Sequence, residues 1–289
     1  MDEAIVFDRR HWWKSFFPFL RRIRSQRFDL VLDLQRHFKS GLISWWSGAR
    51  SRVGFHPRDA KEFNWLFNNL HIPATGDGIS KLDHYLEFAK ALGLETRPME
   101  WRLSLDREEE RGVEDLLKEV PVSFAAFFVG SKWESKRWFP EKTARCAVEL
   151  RRRHGLGTVL LGGPEDRDFA AEVSALCGHH CANLAGRTSL RKAVGVLARA
   201  AVSIGPDTGL MHLSAAVGTP VVSLWGATNP VRTGPYGYES LAVQGKASCS
   251  PCYLRRCPIG RVCMQAIDIE EVVGKVGEEL GRKKHGERN

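Results

Sequence analysis

Hydrophobic residues recur along the chain with two spacings. Apolar runs of about 4–8 residues are typical of buried strands, and apolar positions three to four residues apart are typical of amphipathic helices. The run Phe28–Leu34 predicts a buried parallel strand, and Leu82–Leu92, followed by Gly93, predicts a helix with its end. Strands and helices alternate in this way through most of the chain. Such alternation predicts an α/β fold with parallel sheets.

The same pattern gives the expected order of elements. In the first half it predicts strands at Ala4–Phe7, Phe28–Leu34 and Ser51–Phe55 and helices over Arg9–Arg27, Lys39–Trp46 and Leu82–Leu92. In the second half it predicts strands at Phe124–Val129, Thr158–Leu161, Ala201–Ile204 and Pro220–Trp225 and helices over Glu141–His154, Asp166–Leu176, Leu190–Ala200 and Gly209–Val217. A doubly wound sheet of this kind binds its ligands at the carboxyl ends of its strands.

A weakly patterned, charged stretch separates the two halves. Residues 95–120 contain one predicted helix, Arg107–Lys118, and few other apolar positions. We therefore expect a first domain at 1–118 and a second at 119–280. The charged tail, 281–289, is predicted to be disordered.

Composition narrows the class of protein. The 43 Lys and Arg residues exceed the 34 Asp and Glu residues, which gives a net charge of +9 and favours anionic partners. These could be phosphorylated metabolites, an acidic membrane surface or nucleic acid. Nucleic acid is the least favoured, because the charge is dispersed and no recognised binding motif is present.

No apolar run approaches the ~20 residues of a membrane span. The first residues do not resemble a signal peptide and the cysteines are odd in number, so we expect a cytoplasmic protein.

Three loops that follow predicted strands carry groups suited to phosphate. In Gly205–Gly209 a strand leads into a helix whose free first-turn amides favour an anion, with Asp207 as the expected N-cap. His212 lies four residues beyond Thr208 on the same helix face, where its ring could donate to a diphosphate oxygen. In isolation the segment is equally well explained as an ordinary helix cap with a core histidine.

The other two loops follow the strands at Phe124–Val129 and Thr158–Leu161. The loop Gly130–Pro140 supplies Ser131, Lys132, Lys136 and Arg137, although alone it could be a solvated basic loop. In the loop Leu161–Asp166, Glu165 could accept hydrogen bonds from a ribose diol. Neither a dinucleotide-binding fingerprint nor a P-loop is present.

Together these segments resemble the family-9 glycosyltransferases, the ADP-heptose:lipopolysaccharide heptosyltransferases. The matching residues are KRW at Lys136–Trp138, GGPE at Gly162–Glu165, NLAG at Asn183–Gly186 and PDTGLMHLSAAVGTPVVSLWGATNPVRTGP at Pro206–Pro235. Weaker matches lie in FDLVLDLQ, in ARSRVGF and in the helix that contains His84. The resemblance implies a GT-B architecture, in which two Rossmann-like domains face each other across a cleft.

The resemblance also implies an activity and residue roles. Ser131 and Lys136 would contact the phosphates of ADP-heptose, Glu165 the ribose, and Asp207, Thr208, Gly209 and His212 the diphosphate and sugar. Heptose would pass, with inversion, to a hydroxyl of the lipopolysaccharide inner core. Lys136 and the helix amides would stabilise the leaving diphosphate, so neither a metal nor a cofactor is expected.

One family feature is absent from the sequence. Family-9 enzymes usually open with a strand and a loop of the form (S/T)-x-GD-x-(V/I), whose aspartate is the expected general base. This chain has no such loop, which predicts an incomplete first domain with an exposed apolar sheet edge and little or no transfer activity. Asp33 and Gln35 are candidate substitutes or, more readily, acceptor-binding residues. The alternative is a non-catalytic protein that binds a nucleotide sugar.

Two further segments each allow two interpretations. Cys249, Cys252, Cys257 and Cys263 form a C-x2-C-x4-C-x5-C cluster that could hold a structural metal or consist of free thiols on a capping loop. The aromatic and basic stretch Arg9–Arg27 is either a crossover helix packed on the sheet or a patch that touches anionic lipid and makes the protein peripheral to the membrane. Pro18 should kink this helix in either case.

Overall fold

The computed structural model describes residues 3–8, 10–76, 78–97, 99–118, 120–178 and 181–284. The chain divides into two compact units, Met1–Met99 and Glu100–Asn289. The division falls after Met99 and not after residue 118, because the helix at Arg107–Leu117 packs on the second unit. Its buried Val113 belongs to the same hydrophobic cluster as Leu197.

The first unit is built around a small parallel sheet. Its elements are α1 (Trp12–Ser25), β1 (Leu30–Leu32), α2 (Phe38–Trp46), β2 (Ser51–Gly54), β3 (Leu70–His71) and α3 (Lys81–Ala91). The strand order is β1-β2-β3, and both pairs are parallel. Val53, Phe55, Ile72 and Phe88 form its core, and Phe88 brings the apolar face of α3 into it.

Two predictions for the first unit are wrong. Ala4–Phe7 forms no strand; Val6 is largely exposed and this segment pairs with no strand in the described part of the chain. The strand predicted at Phe28–Leu34 is parallel but shorter and is not buried, since Leu30 and Leu32 are exposed. Within the described residues β1 pairs only with β2, so the sheet has the expected apolar edge.

The second unit is a doubly wound sheet. Its elements are α4 (Arg107–Leu117), β4 (Phe124–Phe128), α5 (Pro140–His154), β5 (Gly157–Leu161), α6 (Arg167–Cys177), β6 (Cys181–Asn183), α7 (Leu190–Arg199), β7 (Val202–Pro206), α8 (Gly209–Ala216), β8 (Val221–Trp225), α9 (Pro230–Thr233), β9 (Val243–Gln244), α10 (Val262–Gln265) and α11 (Ile269–Lys284). The strand order is β6-β5-β4-β7-β8-β9, and all pairs are parallel.

The core of this unit follows from its apolar runs. Every residue of β4, β5, β7 and β8 is buried, as expected for strands covered on both faces. One hydrophobic cluster includes Ala125 and Phe127, and a second includes Ala126 and Phe128, so successive residues of β4 pack on opposite faces of the sheet.

The tail predicted to be disordered, 281–289, is helical where the structure describes it. α11 continues to Lys284, and residues 285–289 lie outside the described part.

Candidate functional site

The sheet order of the second unit fixes where a ligand can bind. β4 and β7 are neighbours, whereas the strands that follow each of them in sequence lie on opposite sides of this pair. The loops after β4 and β7 therefore diverge and leave a crevice at the carboxyl ends of the strands. A cavity of about 810 Å³ lies there. It is lined by residues that include Ser131, Lys132, Arg137, Glu165, Thr208 and Gly209.

Asp207 joins three of the loops at this edge. Its Oδ2 atom lies 2.7 Å from Lys136 Nζ and accepts a hydrogen bond of 2.9 Å from Thr228 Oγ1. Its backbone carbonyl accepts a hydrogen bond of 3.2 Å from Ser131 Oγ. The Lys136 and Asp207 side chains are only 15% and 12% exposed. This ion pair therefore sits in a partly dehydrated setting, where charge interactions are stronger than in water.

The predicted N-cap role of Asp207 is wrong. The N-cap of α8 is Thr208, whose side chain makes no capping hydrogen bond among the described residues. The Asp207 carboxylate is held by Lys136 and Thr228 instead. The first turn of α8 thus keeps amides that can donate to a bound anion. His212 lies one turn further along α8 and is exposed; it is not among the residues lining the described cavity.

Two glycines shape the cavity in different ways. A Cβ atom on Gly209 would meet no protein atom within 4 Å, so the space beside this residue is open to a ligand. A Cβ atom on Gly130 would lie 1.9 Å from Asp166 Oδ2, so no larger residue fits there. Asp166 is ion-paired with Arg137 at 3.0 Å, and Arg137 also donates to the Ser131 carbonyl. This arrangement holds the loop after β4 against the loop after β5.

Glu165 has no such structural role. It lies in the short turn of 3₁₀ helix Pro164–Asp166 after β5, is exposed, and lines the cavity. The neighbouring Asp166 is buried and accepts a hydrogen bond from the Gly163 amide. Glu165 can therefore contact a ligand in the cavity, whereas the carboxylate of Asp166 is occupied by Gly163 and Arg137.

The candidates in the first unit are not equivalent. Asp33 follows β1 and is 5% exposed; its carboxylate accepts hydrogen bonds from the Gln35 amide at 3.1 Å and from Asn64 Nδ2 at 2.6 Å. Asn68 Nδ2 lies 3.5 Å from the same carboxylate. The Gln35 side chain is exposed. Asp33 therefore organises the polar interior of this unit, while Gln35 is the residue that solvent reaches.

The cysteine segment shows no metal-binding arrangement. Within the described residues no group of three or more His, Cys, Asp or Glu side chains is placed to hold a metal ion. Cys257 Sγ accepts a hydrogen bond from the Arg261 amide, and Cys263 is buried in the core. Burial raises the pKa of the Cys263 thiol, with smaller contributions from Cys249, Cys252 and Cys257.

Two residues at the site were not predicted from the sequence. Thr228, which donates to Asp207, lies in the GATNP part of the quoted motif, but nothing in its spacing indicates that partner. Trp133 lies beneath Lys136, with the ammonium 4.4 Å from its ring centroid. An aromatic ring so close to a lysine in GSKWESK could have suggested the cation–π contact, which holds the ammonium in place.

This doubly wound domain has a cationic crevice between the loops after β4 and β7, beside the first turn of a helix. Such an arrangement is typical of proteins that bind nucleoside diphosphates, and nucleotide-sugar glycosyltransferases are among them. Residues 16–263 match glycosyltransferase family 9 (heptosyltransferase). The chain therefore belongs to this family and is a glycosyltransferase.

Curated relatives agree with this assignment. Lipopolysaccharide core heptosyltransferase OpsX of Haemophilus influenzae is 26% identical, over 94% of this chain and 81% of its own length. Lipopolysaccharide heptosyltransferase 1 of Pseudomonas aeruginosa is 30% identical, over 86% of this chain and 71% of its own.

Solved structures show the same fold. The Escherichia coli heptosyltransferase WaaC with ADP matches with a TM-score of 0.68 and 22% identity, over 96% of this chain and 84% of that one. A family 9 glycosyl transferase from Veillonella parvula matches with a TM-score of 0.75 and 20% identity, over 93% and 78%. The predicted α/β fold of the GT-B type, with parallel sheets, is confirmed. In the described part of the chain, no helix has both the length and the apolar character needed to span a bilayer.

Proposed function

We propose that this chain transfers heptose from ADP-heptose to a hydroxyl of the lipopolysaccharide inner core, with inversion at the anomeric carbon. The observation that carries this proposal is the crevice between the loops after β4 and β7. There Ser131, Lys132 and the residues at the start of α8, Thr208 and Gly209, line one cavity. Lys136 is held next to them by its ion pair with Asp207. Membership of family 9 and the two lipopolysaccharide heptosyltransferase relatives support heptose as the sugar and lipopolysaccharide as the acceptor.

In this proposal the donor binds through its charged and polar parts. The diphosphate lies against the first turn of α8, near Ser131 and Lys136, because exposed amides and a fixed cation favour an anion. Glu165 accepts hydrogen bonds from the ribose diol. Asp207, through its neighbours Thr208 and Gly209, places the loop beside the sugar, and His212 donates to a sugar or phosphate oxygen.

The reaction exchanges one carbon–oxygen bond for another. The acceptor oxygen forms a bond to the anomeric carbon from the face opposite the leaving group, and the bond to the diphosphate breaks with its electron pair going to ADP. Negative charge develops on the leaving phosphate, and preorganised donors stabilise that charge more than they stabilise the ground state. Lys136 and the helix amides fill this role, and the proposal includes no metal or cofactor.

The acceptor hydroxyl must also lose its proton, which a side-chain base or a water molecule has to accept. Asp33 is a poor base for this step, because its buried carboxylate already accepts hydrogen bonds from Gln35 and Asn64. This observation favours a second candidate, a protein that binds the nucleotide sugar through its second unit without turning it over. Gln35, which is exposed, remains our candidate contact for the acceptor.

The acceptor is a lipid-anchored sugar, so we also propose that the protein contacts an anionic membrane surface peripherally. The surplus of basic residues supports this.

A donor screen combined with a transfer assay tests the proposal. We expect calorimetric titration to show tighter binding of ADP and ADP-heptose than of UDP- or GDP-sugars, and mass spectrometry to show one added heptose on an inner-core acceptor. Donor binding without heptose addition would leave the binding protein as the function. Failure to bind any adenine nucleotide would contradict both.

A further inference from the structure

A basic groove lies in the first unit and shares no lining residue with the cavity of the second unit. It has a volume of about 780 Å³ and is formed by the end of α1, the segment before β1, the end of α2 and the residue before β2. Arg21, Arg24, Arg27 and Arg50 line it, and Asp29 is its one acidic lining residue. The groove therefore carries a local surplus of positive charge.

This charge is not neutralised within the described structure. None of the four arginines forms an ion pair there with a carboxylate, whereas the neighbouring Arg22 pairs with Glu3. Arg24 is held in place by donating to the Trp46 carbonyl at 3.1 Å. Four guanidinium groups with one lining carboxylate, Asp29, and no ion pair to it among the described residues repel one another, so the cluster is suited to bind an external anion.

Exposed aromatic side chains border the groove. Phe17 is 69% exposed, and Trp46 is 37% exposed; both line it. Trp13, Phe17 and Arg21 follow one another at intervals of four residues and therefore form one stripe along α1. Trp12, Trp13 and Trp45 are also more than half exposed. Tryptophan beside basic residues on an exposed helix is typical of the membrane–water interface.

The position of the groove separates it from the ligand-binding edge. Arg27 and Asp29 precede β1 and Arg50 precedes β2, so the groove lies at the amino ends of the parallel strands. Ligands of such sheets bind at the opposite, carboxyl ends. Asp33 and Gln35 lie at that other end. The groove thus has no role in the donor or acceptor contacts proposed above.

We infer that this groove docks the first unit on an anionic bilayer, with lipid headgroup phosphates bound by Arg21, Arg24, Arg27 and Arg50. Trp13, Phe17 and Trp46 enter the interfacial layer beside them. Two features favour a bilayer over a small soluble anion: four cations are spread along one groove, and the exposed aromatic rings of Phe17 and Trp46 lie among them. Because the need for membrane contact rests on the proposed function, we test docking without any enzyme assay.

Vesicle co-sedimentation of the full chain provides that test. We expect binding to vesicles that contain phosphatidylglycerol, weak binding to pure phosphatidylcholine, and loss of binding as NaCl is raised. The double variant R21E/R50E should bind roughly tenfold more weakly or worse, since each basic residue near an anionic surface contributes to attraction. Trp13→Ser should also weaken binding. This loss should vary less with NaCl concentration than the loss in R21E/R50E, because an aromatic ring contributes through apolar contact.

A matched variant controls for net charge. Arg145 and Arg151 on α5 are exposed and form no ion pair in the described structure, so R145E/R151E makes the same charge change elsewhere. Its binding should equal that of the unchanged protein, and circular dichroism should show all variants folded. Equal losses in both double variants would overturn the groove as the docking site, as would a bilayer affinity that R21E/R50E leaves intact.

A further arm distinguishes lipid phosphate from free phosphate. Inorganic phosphate should displace the protein from vesicles no better than sodium sulfate at equal ionic strength. Stronger displacement by phosphate would mean a site for a soluble phosphorylated ligand and would overturn the bilayer as occupant. Docking that persists while heptose transfer is absent would leave this inference standing and count only against the proposed function.

Discussion

Lys136 and Asp207 come from different loops of the second unit, yet Lys136 Nζ lies 2.7 Å from Asp207 Oδ2 at the carboxyl ends of the strands. Thr228 donates to the same oxygen, and the Trp133 ring lies 4.4 Å from the ammonium. These contacts fix the cation before any ligand arrives. A fixed cation needs little reorganisation when charge develops on a leaving group, which is what electrostatic catalysis requires.

Replacement of Lys136 by Met should therefore affect turnover more than folding. We expect kcat for heptose transfer to fall by roughly 10²–10³-fold, because a single preorganised donor is worth that much. The unfolding free energy should fall by about 2 kcal/mol, since Asp207 loses its charged partner but keeps Thr228. Steady-state kinetics and urea unfolding measure the two effects.

The double variant K136M/D207N separates the two roles. Its loss of unfolding free energy should be smaller than the sum of the two single-variant losses, because neither remaining group is then an unpaired charge. Its turnover should stay as low as that of Lys136→Met. Recovery of both stability and turnover would mean that Lys136 acts only by holding Asp207.

Gly209 gives a test of where the donor lies. Since a Cβ atom there meets no protein atom within 4 Å, Gly209→Val should change the unfolding free energy by less than about 1 kcal/mol. The same side chain would occupy the cavity beside the first turn of α8, so the Kd for ADP should rise roughly tenfold or more.

Gly274 on α11 is a suitable control for that substitution. It too has open space around it and is exposed, but it lies away from the cavity. Gly274→Val should leave the Kd for ADP unchanged in calorimetry. Unchanged ADP binding by Gly209→Val would place the nucleotide elsewhere.

The second unit could be predicted closely from its sequence, and the reason is physical. β4, β5, β7 and β8 are covered on both faces, so each is a continuous apolar run that leaves little ambiguity. The loops after these strands then had to meet at one edge of the sheet. β6 and β9 were missed, because strands of three and two residues at the sheet margins carry no such pattern.

Side-chain partners could not be predicted in the same way. Asp207 has the residue type and position of an N-cap, but Lys136 and Thr228, distant in sequence, hold its carboxylate instead. Likewise Asp33 lies near the end of an apolar run, where a ligand contact is typical, but its partner Asn64 begins the short 3₁₀ helix Asn64–Phe67, distant in sequence. Local patterns located these residues, whereas tertiary contacts decide what they do.

Asp33 should behave as a structural residue of the first unit. Asp33→Ala removes the acceptor for Asn64 Nδ2 and the Gln35 amide within a buried setting, which should cost about 3 kcal/mol of unfolding free energy. Asp29 is exposed and directly precedes β1, so Asp29→Ala should change the unfolding free energy by less than about 0.5 kcal/mol. Thermal and urea unfolding compare them. A stable Asp33→Ala protein that lacks transfer activity would instead support a role in the reaction.

Glu165 should affect the nucleoside and not the phosphates. Glu165→Ala is expected to weaken ADP binding roughly tenfold, the value of about one charged hydrogen bond to the ribose. Binding of inorganic pyrophosphate, which has no ribose, should be unchanged, and so should the melting temperature, because Glu165 is exposed. Asp168→Ala, a neighbouring exposed acid on α6, is the control. Equal weakening of ADP and pyrophosphate would exclude the ribose contact.

Stability at acid pH should depend on the contact between α4 and α7. Hydrogen bonds from the Arg191 guanidinium, and next from the Asp106 amide, lower the pKa of Glu109 from 4.5 to about 2. Because the folded pKa lies below the unfolded one, the unfolded chain binds more protons between these values. The stabilisation is therefore complete above pH 4.5 and is lost as the pH falls towards 2. Glu109→Gln should lower the unfolding free energy at neutral pH and flatten its decline between pH 4.5 and 2, as measured by urea unfolding at a series of pH values.

Glu172→Gln is the control. Glu172 is exposed on α6 and forms no ion pair in the described structure, so this variant should leave the decline unchanged. An identical decline in Glu109→Gln and the unchanged protein would show that this ion pair does not couple α4 to the sheet domain.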